Sequence, residues 1–152
     1  MKGVLNRNMT TTESSTRWEH FSHGSDIGVR GLGNTVEEAF EQGALALTAV
    51  VADLSSIRPS EAIEVHCEAP DLDLLFVSWL DSIIYEMAVR KMLFAKFRVA
   101  IRELSLTATL WGEKVDSEKH QVAVEAKGAT VTALCVRRQQ NGQWLAECVV
   151  DV

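Results

Sequence analysis

A lone carboxylate stands at the start of a strand-like stretch near the beginning of the sequence. In FSHGSDIGVRGLG, which begins at Phe21, Asp26 follows small residues and precedes an alternating apolar pattern. The sequence ends on Asp151 and Val152, which would add a second side-chain carboxylate and a main-chain carboxylate. If these two regions meet, three like charges converge and repel unless a cation joins them. All-oxygen ligands suit a hard cation such as Ca²⁺. The alternative is a solvated chain end beside an exposed Asp151.

Three further side chains are candidates for a role at such a site. Lys127 interrupts a small, apolar, strand-like run, VEAKGATVTAL, and Gly128 follows it. A bulge there would re-aim the lysine toward a cleft, whereas an ordinary strand lysine would be exposed. His23 and His120 each lie near a strand start beside acidic residues. They are candidate outer partners of the metal ligands.

Several common catalytic signatures are missing from the sequence. The glycines of GVRGLGNT match neither the dinucleotide-binding spacing nor the phosphate-loop spacing. There is no HExxH and no GxSxG segment. The three cysteines are far apart and show no CxxC spacing, so we interpret them as buried thiols in a reducing compartment rather than as zinc ligands.

Composition limits the class of protein. The 152 residues are 47% hydrophobic and 24% charged, which is typical of one globular domain. A net charge of −6 argues against direct nucleic-acid binding, because affinity for phosphates comes mainly from Lys and Arg. No apolar run approaches the ~20 residues that cross a bilayer. Residues 1–16 are polar and lack the apolar core of a secretory signal. We therefore expect a flexible segment over residues 1–16, a domain over residues 17–152 and a cytoplasmic location.

The periodicity of apolar residues predicts the elements that position these candidates. Two strands, RWEHFSH and DIGVRGLG, precede a helix over residues 36–52, which starts with a Thr35–Glu38 capping box. A strand in AIEVHCEAP and a second helix from Asp71 follow. The remainder predicts strands in FAKFRVAI and ELSLTATLWGE, one or two in HQVAVEAKGATVTALCVRRQ, a hairpin at Asn141-Gly142 and a final strand, QWLAECVVDV. This order favours an α+β domain, with two helices packed on one mixed, mostly antiparallel sheet in two layers.

Taken in order, these segments resemble the archease family. HGSDIGVRGLGNTVEEAFEQGALAL is similar to the family's opening motif and first helix, and LDLLFVSWLDSIIYEM to its central helix. FAKFRVAI, GEKVDSEKH, VEAKGATVTAL and WLAECVVDV follow in the family's order. The resemblance covers residues 17–152, which would then form an archease-like domain.

The resemblance implies an accessory protein rather than an enzyme. Archeases assist the GTP-dependent RNA ligase that joins ends carrying 2′,3′-cyclic or 3′-phosphates, as in tRNA splicing, and they promote its guanylylation and multiple turnover. Carried over by motif, the family's metal ligands are Asp26, Asp151 and Val152. Calcium is the usual ion, and magnesium or manganese are alternatives. The family's functional lysine corresponds to Lys127. After that lysine the family usually has Thr-Tyr-His, whereas this sequence has Val131 and Thr132 in place of the tyrosine and histidine.

Two other functions are compatible with the same residues. In a metal-dependent phosphoester hydrolase, the carboxylates would hold Mg²⁺ or Mn²⁺ and a bound water would be the nucleophile. In a chaperone-like binding protein no metal would be needed.

Overall fold

The computed structural model describes residues 16–152. The elements in that range are β1 (Arg17–His23), β2 (Asp26–Gly33), α1 (Val36–Val51), a 3₁₀ turn (Leu54–Ser56), β3 (Glu61–Glu68), α2 (Leu72–Arg90), β4 (Met92–Arg102), β5 (Ser105–Lys114), α3 (Ser117–His120), β6 (Gly128–Ala129), β7 (Cys135–Arg138) and β8 (Trp144–Asp151). The segment predicted to be flexible falls, except for Thr16, outside the described residues, so that prediction stays untested.

The strands form two antiparallel sheets. The larger sheet has the order β1-β2-β8-β6, and β7 also pairs with β8. The smaller sheet has the order β3-β5-β4. The predicted α+β class is confirmed, but the strands divide between two sheets instead of joining one. The helix α1 packs against β2 and β8 of the larger sheet and also against β4 of the smaller one.

The first helix begins where the capping box predicts. The Glu38 N–H donates to the Thr35 hydroxyl at 3.1 Å, and the Glu38 side chain accepts from the Asn34 N–H at 2.9 Å. The helix ends at Val51, one residue before the predicted end. A Cβ at Gly31 would lie 2.0 Å from the Ala39 carbonyl oxygen, so α1 rests directly on the backbone of β2. This close approach fixes β2 against the core.

The second helix is anchored by its only tryptophan. Asp71 caps α2 by accepting from the Leu74 N–H at 2.8 Å. Trp79 is fully buried, and its indole N–H donates to the Phe40 carbonyl of α1 at 2.9 Å. That bond satisfies the buried polar atom and ties the two long helices together. None of the helices within residues 16–152 is both long enough and apolar enough to cross a membrane.

The segment after β5 departs from its apolar pattern. Two short strands, β6 and β7, lie in the region where one or two strands are predicted. Residues 121–127, however, form no strand although Val122 and Val124 alternate with polar residues. Both valines are about 40% exposed, at 43% and 39%, so alternation here does not report a buried strand face.

Candidate metal and partner site

The register of the larger sheet brings the two distant carboxylate regions together. The strand β8 lies between β2 and β6, with Ile27 opposite Val150 and Gly128 opposite Asp151. Because β2 and β6 both run antiparallel to β8, their first residues lie beside its last residues. Asp26, Lys127 and the end of the sequence therefore meet at one end of the sheet.

Two main-chain contacts define this end of the sheet. The Val152 N–H donates to Asp26 Oδ1 at 3.4 Å. On the other side of β8, the Lys127 N–H donates to the Asp151 carbonyl oxygen at 2.8 Å. The structure thus brings Asp26, Lys127, Asp151 and Val152, four of the six residues singled out from the sequence, to one end of the sheet. Their roles as metal ligands and partner-activating lysine stay predictions.

The site is strongly acidic. Asp26 is half-buried and Asp151 is exposed. The register, carried one residue beyond the Ile27–Val150 pair, places Asp26 across from Asp151, and like charges directly opposite each other on paired strands are destabilising. Among residues 16–152, no cationic side chain lies within ion-pair distance of either carboxylate. The Val152 N–H is the polar contact that Asp26 receives here, and no cationic side chain in this range neutralises the two carboxylates.

The predicted donor set has the chemistry of a hard-cation site. Two aspartate carboxylates and the main-chain carboxylate predicted at Val152 would supply up to about six oxygens, the lower limit of calcium coordination. In the described part of the chain, no group of three or more His, Cys, Asp or Glu side chains is arranged to hold a metal ion. The candidate set contains only two such side chains, so it depends on the main-chain carboxylate as its third group.

Lys127 is presented to solvent immediately before β6. Its side chain is exposed, and within the described range no carboxylate lies within ion-pair distance of its Nζ. Its position is held from two sides. The strand β6 pairs with β8, and the Ala129 N–H donates to Asp81 Oδ1 of α2 at 2.8 Å. Asp81 is a positioning residue that sequence reasoning missed, since nothing in its spacing distinguishes it from an ordinary surface acid on a helix.

The two histidines have different surroundings. His23 ends β1, is exposed, and lies opposite Asp26 across the β1–β2 hairpin. His120 is buried, and both its ring nitrogens have partners elsewhere. The Asp116 N–H donates to Nδ1 at 2.9 Å, so the ring proton is on Nε2, which donates to Glu113 Oε2 at 2.8 Å. The structure therefore places His23 beside the candidate site, whereas His120 is hydrogen-bonded within the connection between β5 and α3.

Glu113 is the centre of that second network. The Lys119 ammonium, the Arg58 N–H and the His120 ring all donate to its carboxylate, at 2.7, 2.8 and 2.8 Å. These three donors, with Lys119 the largest contribution, lower the pKa of Glu113 from 4.5 to about 2. Hydrogen bonds to the charged form have this effect on a carboxyl group. The network stabilises the connection between β5 and α3.

Comparison with known proteins identifies the family. The model of the archease protein family matches residues 18–152. The chain belongs to the archease family. It is 36% identical to the protein archease of Pyrococcus furiosus over 140 residues, covering 90% of this chain and 99% of that protein. The identity to the protein archease of Thermococcus gammatolerans is 38% over 140 residues, with the same coverage.

Solved structures show the same archease fold. The solution structure of Protein 1598 of Methanobacterium thermoautotrophicum superimposes with a TM-score of 0.79 at 30% identity, covering 90% of this chain and 99% of that one. A crystal structure from Thermotoga maritima, described as an archease and possible chaperone, gives a TM-score of 0.62 at 18% identity and covers 88% and 96% of the two chains. The second likeness concerns the fold alone.

The chain departs from the pattern expected from the resemblance next to the candidate site. Val131 and Thr132 stand where the resemblance leads us to expect tyrosine and histidine. The Val131 side chain is 66% exposed, and the Thr132 carbonyl accepts from the Val149 N–H of β8 at 3.1 Å. The two positions therefore lie beside the last residues of β8. Compared with that expected pattern, an aromatic ring and an imidazole are missing near Lys127.

Proposed function

We propose that this protein is an accessory factor that binds a divalent cation and activates a GTP-dependent RNA ligase. Asp26, Asp151 and the Val152 carboxylate hold the ion, with calcium the best match to an all-oxygen donor set. The observation that carries the proposal is the pairing of β8 with β2 and β6, which puts these oxygens and Lys127 at one end of the larger sheet.

The cation and Lys127 have separate roles in this proposal. The ion cancels the repulsion between carboxylates and joins the start of β2 to the end of β8. Lys127, whose ammonium is exposed and lacks an ion-pair partner in the described residues, faces the ligase and contacts a phosphate of its bound nucleotide. Membership of the archease family supports the ligase as partner.

A ligase turnover assay tests the function. The source organism's ligase is mixed with RNA ends carrying 2′,3′-cyclic phosphate, with and without this protein, and guanylylated ligase and joined product are both measured. We expect the wild type to raise turnover, and Asp26→Ala, Asp151→Ala and Lys127→Ala to abolish most of that stimulation. Lys127→Arg should restore part of it because it restores the cation. Glu118→Gln, which removes one exposed negative charge from α3, is the matched control.

Three results would count against the proposal. If the wild type gives no stimulation, the function is wrong. If all three alanine variants stimulate as well as the wild type, the residues are wrong. Phosphodiester hydrolysis by the protein alone, lost in Asp26→Ala, would support the hydrolase alternative instead.

The terminal ligand has its own test. Extending the chain by a few residues after Val152 converts its carboxylate into an amide, which leaves only two charged ligands. We expect calcium affinity measured by calorimetry to fall at least tenfold, since a charged oxygen ligand is lost. Unchanged affinity would exclude the terminus as a ligand.

A further inference from the structure

The two edge strands of the smaller sheet differ in whether another element covers them. In the order β3-β5-β4, both β3 and β4 are edge strands. The edge of β4 is covered by α1, because Glu41 accepts from the Val99 N–H at 2.9 Å and the Thr48 hydroxyl donates to the Phe94 carbonyl at 2.8 Å. For β3, pairing with β5 is the only strand pairing in the described residues. An uncovered edge of this kind is a template for another extended chain.

A groove runs along the uncovered edge of β3. It has a volume of about 570 Å³ and lies between β3 and α2, lined by residues 64–67 of the strand and by Ser78, Asp81, Tyr85 and Glu86 of the helix, among others. Residues from both faces of β3 line it, so the groove follows the strand's edge rather than one face of the sheet. Four strand residues span roughly 10 Å, and helix residues 78–86 span roughly 12 Å. The groove therefore accommodates about three or four residues of an extended peptide.

The charge of the groove selects the kind of peptide. Glu64, Asp81 and Glu86 line it, and no lysine or arginine does. Glu86 is paired with Arg90 on the same helix. No cationic side chain of residues 16–152 lies within ion-pair distance of Glu64 or Asp81. Two carboxylates without a cationic partner therefore flank the strand edge, with Glu64 on the open face of the sheet and Asp81 on the helix side.

We propose that this groove binds an extended, basic segment of a partner protein by strand addition to β3. The main chain of the segment pairs with the outward N–H and C=O groups of residues 64–67, which supplies binding that does not depend on sequence. Lysine or arginine side chains at neighbouring positions of the segment point to opposite faces, so one reaches Glu64 and the next reaches Asp81, which supplies selectivity for basic sequences. The proposal does not depend on the cation site or on the ligase.

The chain carries a built-in probe for this groove. The sequence contains one tyrosine, Tyr85, and its side chain is 61% exposed at the groove wall. Protein labelled with 3-fluorotyrosine therefore gives a single ¹⁹F signal from the site. The ligand used is a six-residue peptide with two adjacent central lysines flanked by valines and with blocked ends. Its counterpart has glutamate in place of lysine.

We expect the lysine peptide to shift the fluorine signal saturably and the glutamate peptide to leave it in place. Amide exchange should slow at every second residue of 64–67, because only outward N–H groups gain a partner. Glu64→Gln and Asp81→Asn should each weaken binding about two- to fivefold, the effect of losing one exposed ion pair. Asn at position 81 keeps an oxygen acceptor for the Ala129 N–H. The matched control, Glu118→Gln on α3, should bind like the wild type.

A peptide methylated on alternate backbone nitrogens separates strand addition from simple charge attraction. It keeps the lysines but loses the main-chain donors, so we expect its binding to be lost. Equal binding of the methylated peptide would overturn strand addition, and equal binding of the glutamate peptide would overturn selection by charge. Absence of a saturable shift with the lysine peptide up to millimolar concentration would overturn the groove as a binding site, and the acids of β3 would then serve only to discourage edge-to-edge aggregation.

Discussion

Calcium should reverse the rank order of stability between the wild type and Asp151→Asn. Without a cation, the substitution removes one of two like charges placed opposite each other on β2 and β8, so we expect it to raise the free energy of unfolding by about 0.2–1 kcal/mol. With calcium, the wild type gains RT ln(1 + [Ca²⁺]/Kd), which is about 2.7 kcal/mol at one hundred times Kd. The variant, with a weakened site, gains little of this. The wild type should then exceed it by about 2 kcal/mol.

Thermal unfolding in EDTA and in calcium measures both terms. For a domain of this size, 1 kcal/mol corresponds to roughly 3–4 °C, so calcium should raise the wild-type Tm by roughly 10 °C. In EDTA, Asp151→Asn should melt slightly above the wild type. Glu118→Gln makes the same change in net charge away from the site. It should keep the full calcium shift, which separates ligand loss from a general charge effect.

Two results would refute the reasoning. Equal calcium shifts in the wild type and in Asp151→Asn would show that the ion, if bound, is bound elsewhere. A wild-type Tm that responds to neither calcium nor EDTA would show that the carboxylates tolerate their proximity without a cation. That outcome would favour a metal-free binding protein.

Three further outcomes follow from individual contacts. Burial raises the pKa of Glu41, so its charged form costs stability at pH 7, and Glu41→Gln should be at least as stable in urea unfolding. Glu41→Ala leaves the Val99 N–H without its acceptor and should lower the free energy of unfolding by about 1 kcal/mol. Hydrogen bonds, first of all from Lys119, lower the pKa of Glu113 from 4.5 to about 2, so its contribution to folding stability is present above pH 4.5 and is lost as the pH falls toward 2. In denaturant unfolding at pH 2–6, Glu113→Gln should therefore flatten the dependence of stability on pH. Burial raises the pKa of Cys148 to about 12, so mass spectrometry should find this thiol unmodified after reagent treatment of the folded protein at pH 8, and modified after unfolding.

Local elements were readable from the sequence because their signals are local. The Thr35–Glu38 capping box gave the start of α1, and the alternating apolar residues gave β2 and β8. The division into two sheets was not readable, because strand pairing is decided by which backbones meet in space rather than by periodicity within a strand. Val122 and Val124 illustrate the limit, since they alternate like strand residues but have no strand to pair with.

The candidate site was likewise predictable only in part from the sequence. Residue chemistry singled out Asp26, Asp151 and Val152, but no spacing rule shows that positions 125 residues apart meet. The family resemblance supplied that expectation. The register of β8 beside β2 places the end of the sequence next to Asp26. His120 shows the reverse case, because an acidic neighbourhood in sequence proved to be Glu113 and not the carboxylates at the sheet end. Which acidic group a histidine contacts is decided by the tertiary fold and not by its neighbours in the sequence.

Asp81 connects the two surfaces that we propose bind partners. Its Oδ1 accepts from the Ala129 N–H and so holds β6, and with it Lys127, against α2; the same carboxylate lines the groove beside β3. A basic segment bound in the groove would therefore contact the residue that positions Lys127. Glu64 lines the groove without touching β6. Loss of ligase stimulation in Asp81→Ala but not in Glu64→Gln would place Asp81's contribution at β6, whereas loss in both would mean that the groove itself takes part in partner binding.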